Sequence, residues 1–194
     1  MKHIGSVSGT GSAATLSLTS IPNTYNSLVL KGVGHSTNTG INSANIRFNS
    51  DSNTNYDTNR GGRYDNANLF STRKMEVSLT HETNANLAFQ SENQTAANFA
   101  YLPNASDNVG SMLMQLEMNI WSYQKASTRP GRVCFMCQAN YHFSSTKQIN
   151  FLYTGWFDGS GPGNADDVTS IQLDMVTGNW GSNTKFDLYG RDDS

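Results

Sequence analysis

Cys134 and Cys137 have the spacing of a redox or metal-binding pair. Such a pair can supply two sulfur ligands to zinc, but a structural zinc site needs two further ligands at similar spacing. The chain has only two cysteines and no CxxH motif. The pair also lies in an alternating run, in which residues three apart point to opposite faces of a strand. We therefore predict two buried or half-buried thiols and neither a metal nor a redox site.

The histidines are scattered, and none has a carboxylate or a second histidine at ligand spacing; they are His3, His35, His81 and His142. The sequence also lacks a G-x-S-x-G elbow, a phosphate-binding loop and an H-E-x-x-H motif. Hydrolysis therefore has no visible acid, base or nucleophile. We predict a protein that is not an enzyme, with no catalytic residues and no cofactor. A glycan depolymerase is the weakest alternative, because scattered acids can meet in a fold.

Two acidic stretches resemble calcium-binding loops in composition. The first has an oxygen-bearing side chain at every second position, but it lacks the glycine and the glutamate of an EF-hand loop. The second is rich in glycine and aspartate, which are also the residues of ordinary turns. We predict solvated turns, with calcium as the weaker alternative. The oxygen ligands would come from Asp51, Asn53, Asn55 and Asp57 in the first stretch and from Asp158, Asp166 and Asp167 in the second.

Four aromatic residues stand apart from the alternating apolar faces. They are Trp121, Tyr123, Trp156 and Trp180. An exposed aromatic side chain can stack on a sugar ring or anchor a protein partner. The same side chain can also pack under a loop as part of the core. All three interpretations stay open for these residues, which are the candidates for partner or glycan binding.

Composition and charge limit the class of protein. The chain has 194 residues, a length that suits one domain, and a formal net charge of −2. A charge this small provides no long-range attraction for nucleic acid or for an anionic membrane, so we expect neither as a partner. The first residues lack the apolar core of a signal peptide, so we expect synthesis in a cytoplasm without export by that route.

Alternation with a period of two residues indicates strands throughout the chain. Asn, Ser and Thr number 23, 23 and 18, and they favour turns and exposed strand faces over helix interiors. The clearest stripe consists of Met112, Met114, Leu116, Met118 and Ile120, with polar residues between them. Strands with one buried face and one solvent-exposed face of this kind are typical of antiparallel sheets. The fold class is therefore all-β: an antiparallel two-sheet β-sandwich, jelly-roll-like, with about nine strands.

The remaining segments divide the chain into an N-terminal arm at 1–13, a β-sandwich domain at 14–190 and a charged tail at 191–194. Within the domain, we predict a long polar loop from Asn49 to Asn68 and a strand that includes Met75, Val77 and Leu79. The stretch from Thr80 to Val109 is less regular and has two short candidate strands, Leu87–Phe89 and Phe99–Leu102.

Four segments, taken in order, resemble small virion proteins of tailed bacteriophages. Leu18–Leu30 is similar to their SIPxTYxxLxL opening, and Ile46–Asp51 with Asn55-Tyr56 is similar to IRFNGDxxxNY. The strand after Gly110, followed by Tyr123-Gln124-Lys125, and the closing stretch from Ile171 to Gly190 also resemble these proteins. The chain departs from them at Ser50, where glycine is usual, in an enlarged 57–72 loop, and in the tail after Gly190.

The resemblance implies a jelly-roll-like domain on the surface of a virion, with phage capsid or tail proteins as partners. Its function would be that of a capsid decoration or cement protein that bridges neighbouring capsid subunits. The alternative is a tail fibre or baseplate domain that binds a carbohydrate or another receptor. Such proteins are commonly trimeric, so we expect a homotrimer. The resemblance brings no catalytic residues with it.

Overall fold

The structure is a computed structural model that describes residues 1–38, 42–52, 56–65, 89–94, 96–102, 113–124, 133–144, 147–157 and 167–192. These residues form twelve β-strands and no helix. Consequently, the described part of the chain contains no helix that could cross a membrane. The strands are β1 Lys2–Ser8, β2 Thr15–Leu18, β3 Ser27–Gly34, β4 Asn42–Phe48, β5 Tyr56–Asp65, β6 Phe89–Gln94, β7 Ala97–Leu102, β8 Met114–Trp121, β9 Val133–Ser144, β10 Lys147–Phe157, β11 Ile171–Met175 and β12 Lys185–Arg191.

The strands form two antiparallel sheets that pack as a β-sandwich, which confirms the predicted fold class. The large sheet has eight strands in the order β1-β12-β3-β8-β9-β10-β5-β6, and the small sheet has four in the order β2-β11-β4-β7. The finer jelly-roll assignment stays a prediction.

The core lies between the two sheets and follows from the alternation. Along β8, the even-numbered residues from Met114 to Ile120 are buried, and the odd-numbered residues between them are exposed or half-exposed. Aromatic contacts join the layers: the Phe48 ring of the small sheet lies 6.4 Å from Phe135 and 5.6 Å from Phe157 of the large sheet. Burial of such side chains is worth roughly 1.5–3 kcal/mol each, so this layer holds the sheets together.

Some strands lie where none was predicted. Within the segment predicted as an arm, Lys2–Ser8 forms β1, which pairs with β12 at the edge of the large sheet. The prediction of a loop from Asn49 to Asn68 was wrong at residues 56–65, which form β5. This strand pairs with β10 along its whole length. The sequence of β5 is YDTNRGGRYD, which has too few apolar residues to show a period of two. The strand predicted around Met75–Leu79 lies outside the described residues.

Candidate functional site

The sandwich has two ends, which we name after the buried aromatic residue at each. The Tyr123 end is where β3 begins and where β4, β8 and β10 finish. At the Trp180 end, β3 finishes and β4, β8 and β12 begin. Among the predicted site residues with a described position, all except Trp180 lie at the Tyr123 end. The fold therefore places most of the candidate site residues at one end of the sandwich, although the sequence identified each of them separately.

Tyr123 is fully buried and joins two segments that are far apart in sequence. Its hydroxyl donates a hydrogen bond to Pro22 O at 2.9 Å and accepts one from Tyr25 N at 3.0 Å. The neighbouring Gln124 amide donates to Asn23 O at 2.6 Å. Burial is the largest cause of the raised pKa of Tyr123. Of the three interpretations left open for Tyr123, its burial supports packing, because the side chain fastens the β2–β3 connection.

Gly190 completes this arrangement from β12. A Cβ at this position would overlap the ring of Tyr25, so only glycine lets the ring lie against the strand. Tyr25 is itself buried. Three of the segments on which the resemblance rests therefore meet here, and their residues act in packing rather than in chemistry.

The two acidic stretches also approach each other at the Tyr123 end. Asn49 lies just after β4 with a positive φ of 54°. Its side-chain amide donates to Asp167 O at 2.9 Å and accepts a hydrogen bond from Thr169 N at 2.8 Å. The Asp167 carboxylate accepts a hydrogen bond from Asn23 at 3.1 Å. An asparagine side chain just before the first acidic stretch thus bonds to the residue that ends the second.

Three of the seven candidate calcium ligands, Asp51, Asp57 and Asp167, lie in the described residues. Asn53, Asn55, Asp158 and Asp166 lie outside the described residues, and the position of Asp57 in β5 removes it from a loop. Within the described ranges, no three His, Cys, Asp or Glu side chains are grouped as a metal site. Asp51 follows a turn in which its N–H donates to Phe48 O at 3.0 Å.

Trp180 lies at the opposite end and is fully buried. Its indole N–H donates to Leu173 O at 2.9 Å, and its ring meets Phe186 edge-on at 5.2 Å. Backbone hydrogen bonds surround it, from Gly11 N to Trp180 O and from Trp180 N to Ala13 O, both at 2.9 Å. Trp180 is therefore a core residue, in agreement with the packing interpretation among the three left open.

Trp121 and Trp156 remain as surface candidates, and the strand register places them in one row. Trp121 is opposite Cys134 across β8 and β9, and Cys134 is opposite Trp156 across β9 and β10. We call these three residues the indole row. Both tryptophans are half-buried, and Cys134 between them is exposed. The row crosses the outer face of the large sheet at the Tyr123 end.

The two cysteines are on opposite faces of β9, as predicted. Cys137 is buried in the core, and desolvation raises the pKa of its thiol far above the ordinary value. Cys134, by contrast, is exposed rather than buried or half-buried, so that part of the prediction was wrong. Because their side chains leave the strand in opposite directions, the two thiols cannot act as one CxxC centre.

The outer face of the small sheet differs from that of the large sheet. Asp174 is mostly buried there, accepts a hydrogen bond from Thr15 Oγ1 at 2.6 Å and forms an ion pair with Arg47 Nη1 at 2.6 Å. These groups satisfy one another, so they form a structural cluster rather than a binding site.

Comparisons with known proteins give no relative from which a role could be transferred. No protein-family model matches the chain, and neither does any curated protein or solved structure.

Proposed function

We propose that the protein is a structural component of a bacteriophage virion, a capsid decoration protein that bridges neighbouring capsid subunits and does no catalysis. The observation that carries this proposal is the edge strand β1, which among the described strands pairs only with β12, because an unpaired sheet edge is a ready site for strand addition by a partner protein. The resemblance to phage virion proteins supplies the kind of partner.

The exposed side of β1 can be read from the ladder. Gly9 N donates to Thr184 O at 3.0 Å, which fixes the phase of the pairing between β1 and β12. Alternate residues of an antiparallel strand bond to the same neighbour, so Val7 faces β12. The N–H groups of Ser6 and Ser8 then point away from the sheet. Ser6 and Ser8 are also exposed, so a partner strand has access to them.

Side-chain contacts also join β1 to its neighbour β12. Ser6 Oγ donates to Asp187 Oδ1 at 2.5 Å, and Lys185 Nζ lies 3.3 Å from the same oxygen. These contacts lower the pKa of Asp187, so its carboxylate stays charged at neutral pH. A strand fixed to β12 in this way suits a protein that resists outward pressure on a capsid. The expected trimer would add avidity, because several weak edges bind together.

The test is co-sedimentation of the purified protein with emptied heads of the phage that encodes it. Ser8→Pro removes an outward N–H, and Ser8→Thr keeps it. We expect the proline variant to bind heads roughly tenfold more weakly, the size expected for losing about one hydrogen bond, with the threonine variant unchanged. Absence of binding by the unmodified protein would overturn the proposal, and retention on isolated tails would move the assignment to the tail.

A second candidate function is a tail fibre or baseplate domain that binds a carbohydrate or another receptor. The indole row favours it, since two half-buried indoles lie in one row on the same sheet face, with Cys134 between them. This function needs no sheet edge, so the Ser8 variants would bind the receptor equally well.

A further inference from the structure

The indole row is a stripe that crosses three strands. Neighbouring strands are about 4.8 Å apart, so the backbones at Trp121 and Trp156 are roughly 10 Å apart. Along β9, the next outward residue after Cys134 is Met136, which is 39% exposed and extends the stripe. An apolar feature of this shape, long across the strands and short along them, fits an extended chain better than a broad flat partner.

The burial of the two indoles indicates that they are held in place. Both are half-buried, and the indole nitrogen of Trp156 is buried. Trp121 is the last residue of β8, two positions before Tyr123, whose hydrogen bonds fix the chain at this end. A ring that is partly covered and anchored offers its remaining surface at little cost in conformational entropy.

On β8, β9 and β10 the surroundings of the row are polar but almost uncharged, and on β5 the register places Asp57 opposite Trp156. Among the described outward side chains of β8, β9 and β10, the amides are Gln115, Asn119, Gln138 and Asn140. The one charged group among them is Glu117, whose Oε2 lies 3.0 Å from Lys31 Nζ. Amides both donate and accept hydrogen bonds, as hydroxyl groups do. The face therefore matches a ligand with many hydroxyls and no net charge.

We propose that this face binds an uncharged glycan, with Trp121 and Trp156 stacking on sugar rings and with Asn119 and Gln138 bonding to hydroxyls. The apolar C–H face of a sugar ring is the natural partner of an indole, and the separation of the two residues lets them stack on two different rings of one chain. A protein partner would be expected to bury a broader apolar centre surrounded by a polar rim.

The inference rests on the receptor-binding candidate of the previous subsection and does not require capsid binding. The two proposals use different parts of the large sheet, the β8–β10 face and the β1 edge. Each can therefore fail while the other holds, and the Ser8 and tryptophan variants separate them.

The test is affinity electrophoresis of the full chain through gels that contain an uncharged polysaccharide. The probes are dextran, soluble starch, hydroxyethyl cellulose and galactomannan, with dextran sulfate as the anionic comparison. We expect at least one uncharged probe to retard the protein and to alter its tryptophan fluorescence. Trp121→Ala and Trp156→Ala should each weaken this binding by about tenfold, since each removes one aromatic contact.

Tyr189→Ala is the matched control, because Tyr189 is a half-exposed aromatic on the same sheet face but lies on β12. It should bind as the unmodified chain does, and Trp121→Phe should retain most of the affinity. Circular dichroism and thermal unfolding check that each variant is folded. Lack of retardation by every uncharged probe overturns the proposal. Sedimentation that changes in the tryptophan variants, without glycan binding, assigns the face to contact between copies and also overturns it.

Discussion

The two ends of the sandwich hold the sheets together with different atoms. At the Trp180 end, main-chain groups do most of the bonding, and glycines bring the segments close: Gly181 N donates to His35 O at 2.9 Å, and a Cβ at Gly9 would overlap Gly181 O. At the Tyr123 end, main-chain bonds such as that from Val168 N to Tyr123 O at 2.9 Å are joined by more numerous side-chain bonds, chiefly those of the Tyr123 hydroxyl and the Asn49 amide. Close main-chain contacts at the Trp180 end leave no room for larger side chains, so they restrict the sequence strongly. The side-chain bonds at the Tyr123 end leave neighbouring surface residues such as Trp121 free to serve binding.

The largest expected effect is on the end closed by the main chain. Trp180→Ala removes a fully buried indole and its hydrogen bond to Leu173, and the surrounding glycines cannot fill the space. We expect the free energy of unfolding to fall by about 3–5 kcal/mol. Urea titration measures this, with Trp121→Ala as the comparison at under about 1 kcal/mol. Similar losses for both variants would contradict the assignment of Trp180 to the core.

A smaller effect is expected at the end closed by side chains. Tyr123→Phe keeps the ring but leaves Pro22 O without its donor and Tyr25 N without its acceptor. The predicted loss is about 1–3 kcal/mol, the cost of unpaired buried polar groups. Tyr189→Phe is the control, since Tyr189 is half-exposed on the outer face of β12. A Tyr123→Phe variant as stable as the unmodified protein would show that the hydroxyl bonds do not fasten this end.

The smallest effect concerns pH at the Trp180 end. Nδ1 of His35 is buried, and no hydrogen-bond partner is found for it in the described part of the chain. Desolvation lowers the pKa of His35 below its ordinary 6.5. As pH falls below about 6.5, the unfolded chain therefore takes up the proton more readily than the folded chain, and the free energy of unfolding decreases. The lost stability is regained above pH 6.5.

Urea unfolding at pH 7.5 and pH 5.5 measures this difference. His35→Gln should reduce the dependence on pH, because it removes the titrating ring while the other ionisable groups remain. Equal dependence in the two proteins would mean that protonation of His35 does not disturb the folded state.

Local sequence patterns predict a strand best where one of its faces is apolar and buried and the other is polar and exposed. β8 follows the stripe of alternating apolar residues that was identified from the sequence. β5 was not predicted because it has no apolar face of its own. Only its pairing with β10 identifies it as a strand. Alternation shows only the burial of a strand and not the neighbour that supplies its hydrogen bonds.

The candidate site could be predicted only in part, for a related reason. Trp121 and Trp156 were identified as aromatics outside the main stripes, but their alignment beside Cys134 depends on the register of three strands. Trp180 stands between Gly178 and Gly181, but its burial depends on contacts with Phe186 and with Leu173 O in two neighbouring strands. The partners of Tyr123 lie about a hundred positions away, beyond the reach of any local pattern.

The position of β12 has a consequence for biosynthesis. This strand lies between β1 and β3, so both early strands lack their neighbour until residues 185–191 have been made. Folding dominated by such distant pairings is slow. Until the ribosome has delivered the last strand, the apolar side of β3 has to stay in a partly collapsed nascent chain. Assembly of the eight-stranded sheet is thus a late event, and nascent chains that stop before residue 185 should be prone to aggregation.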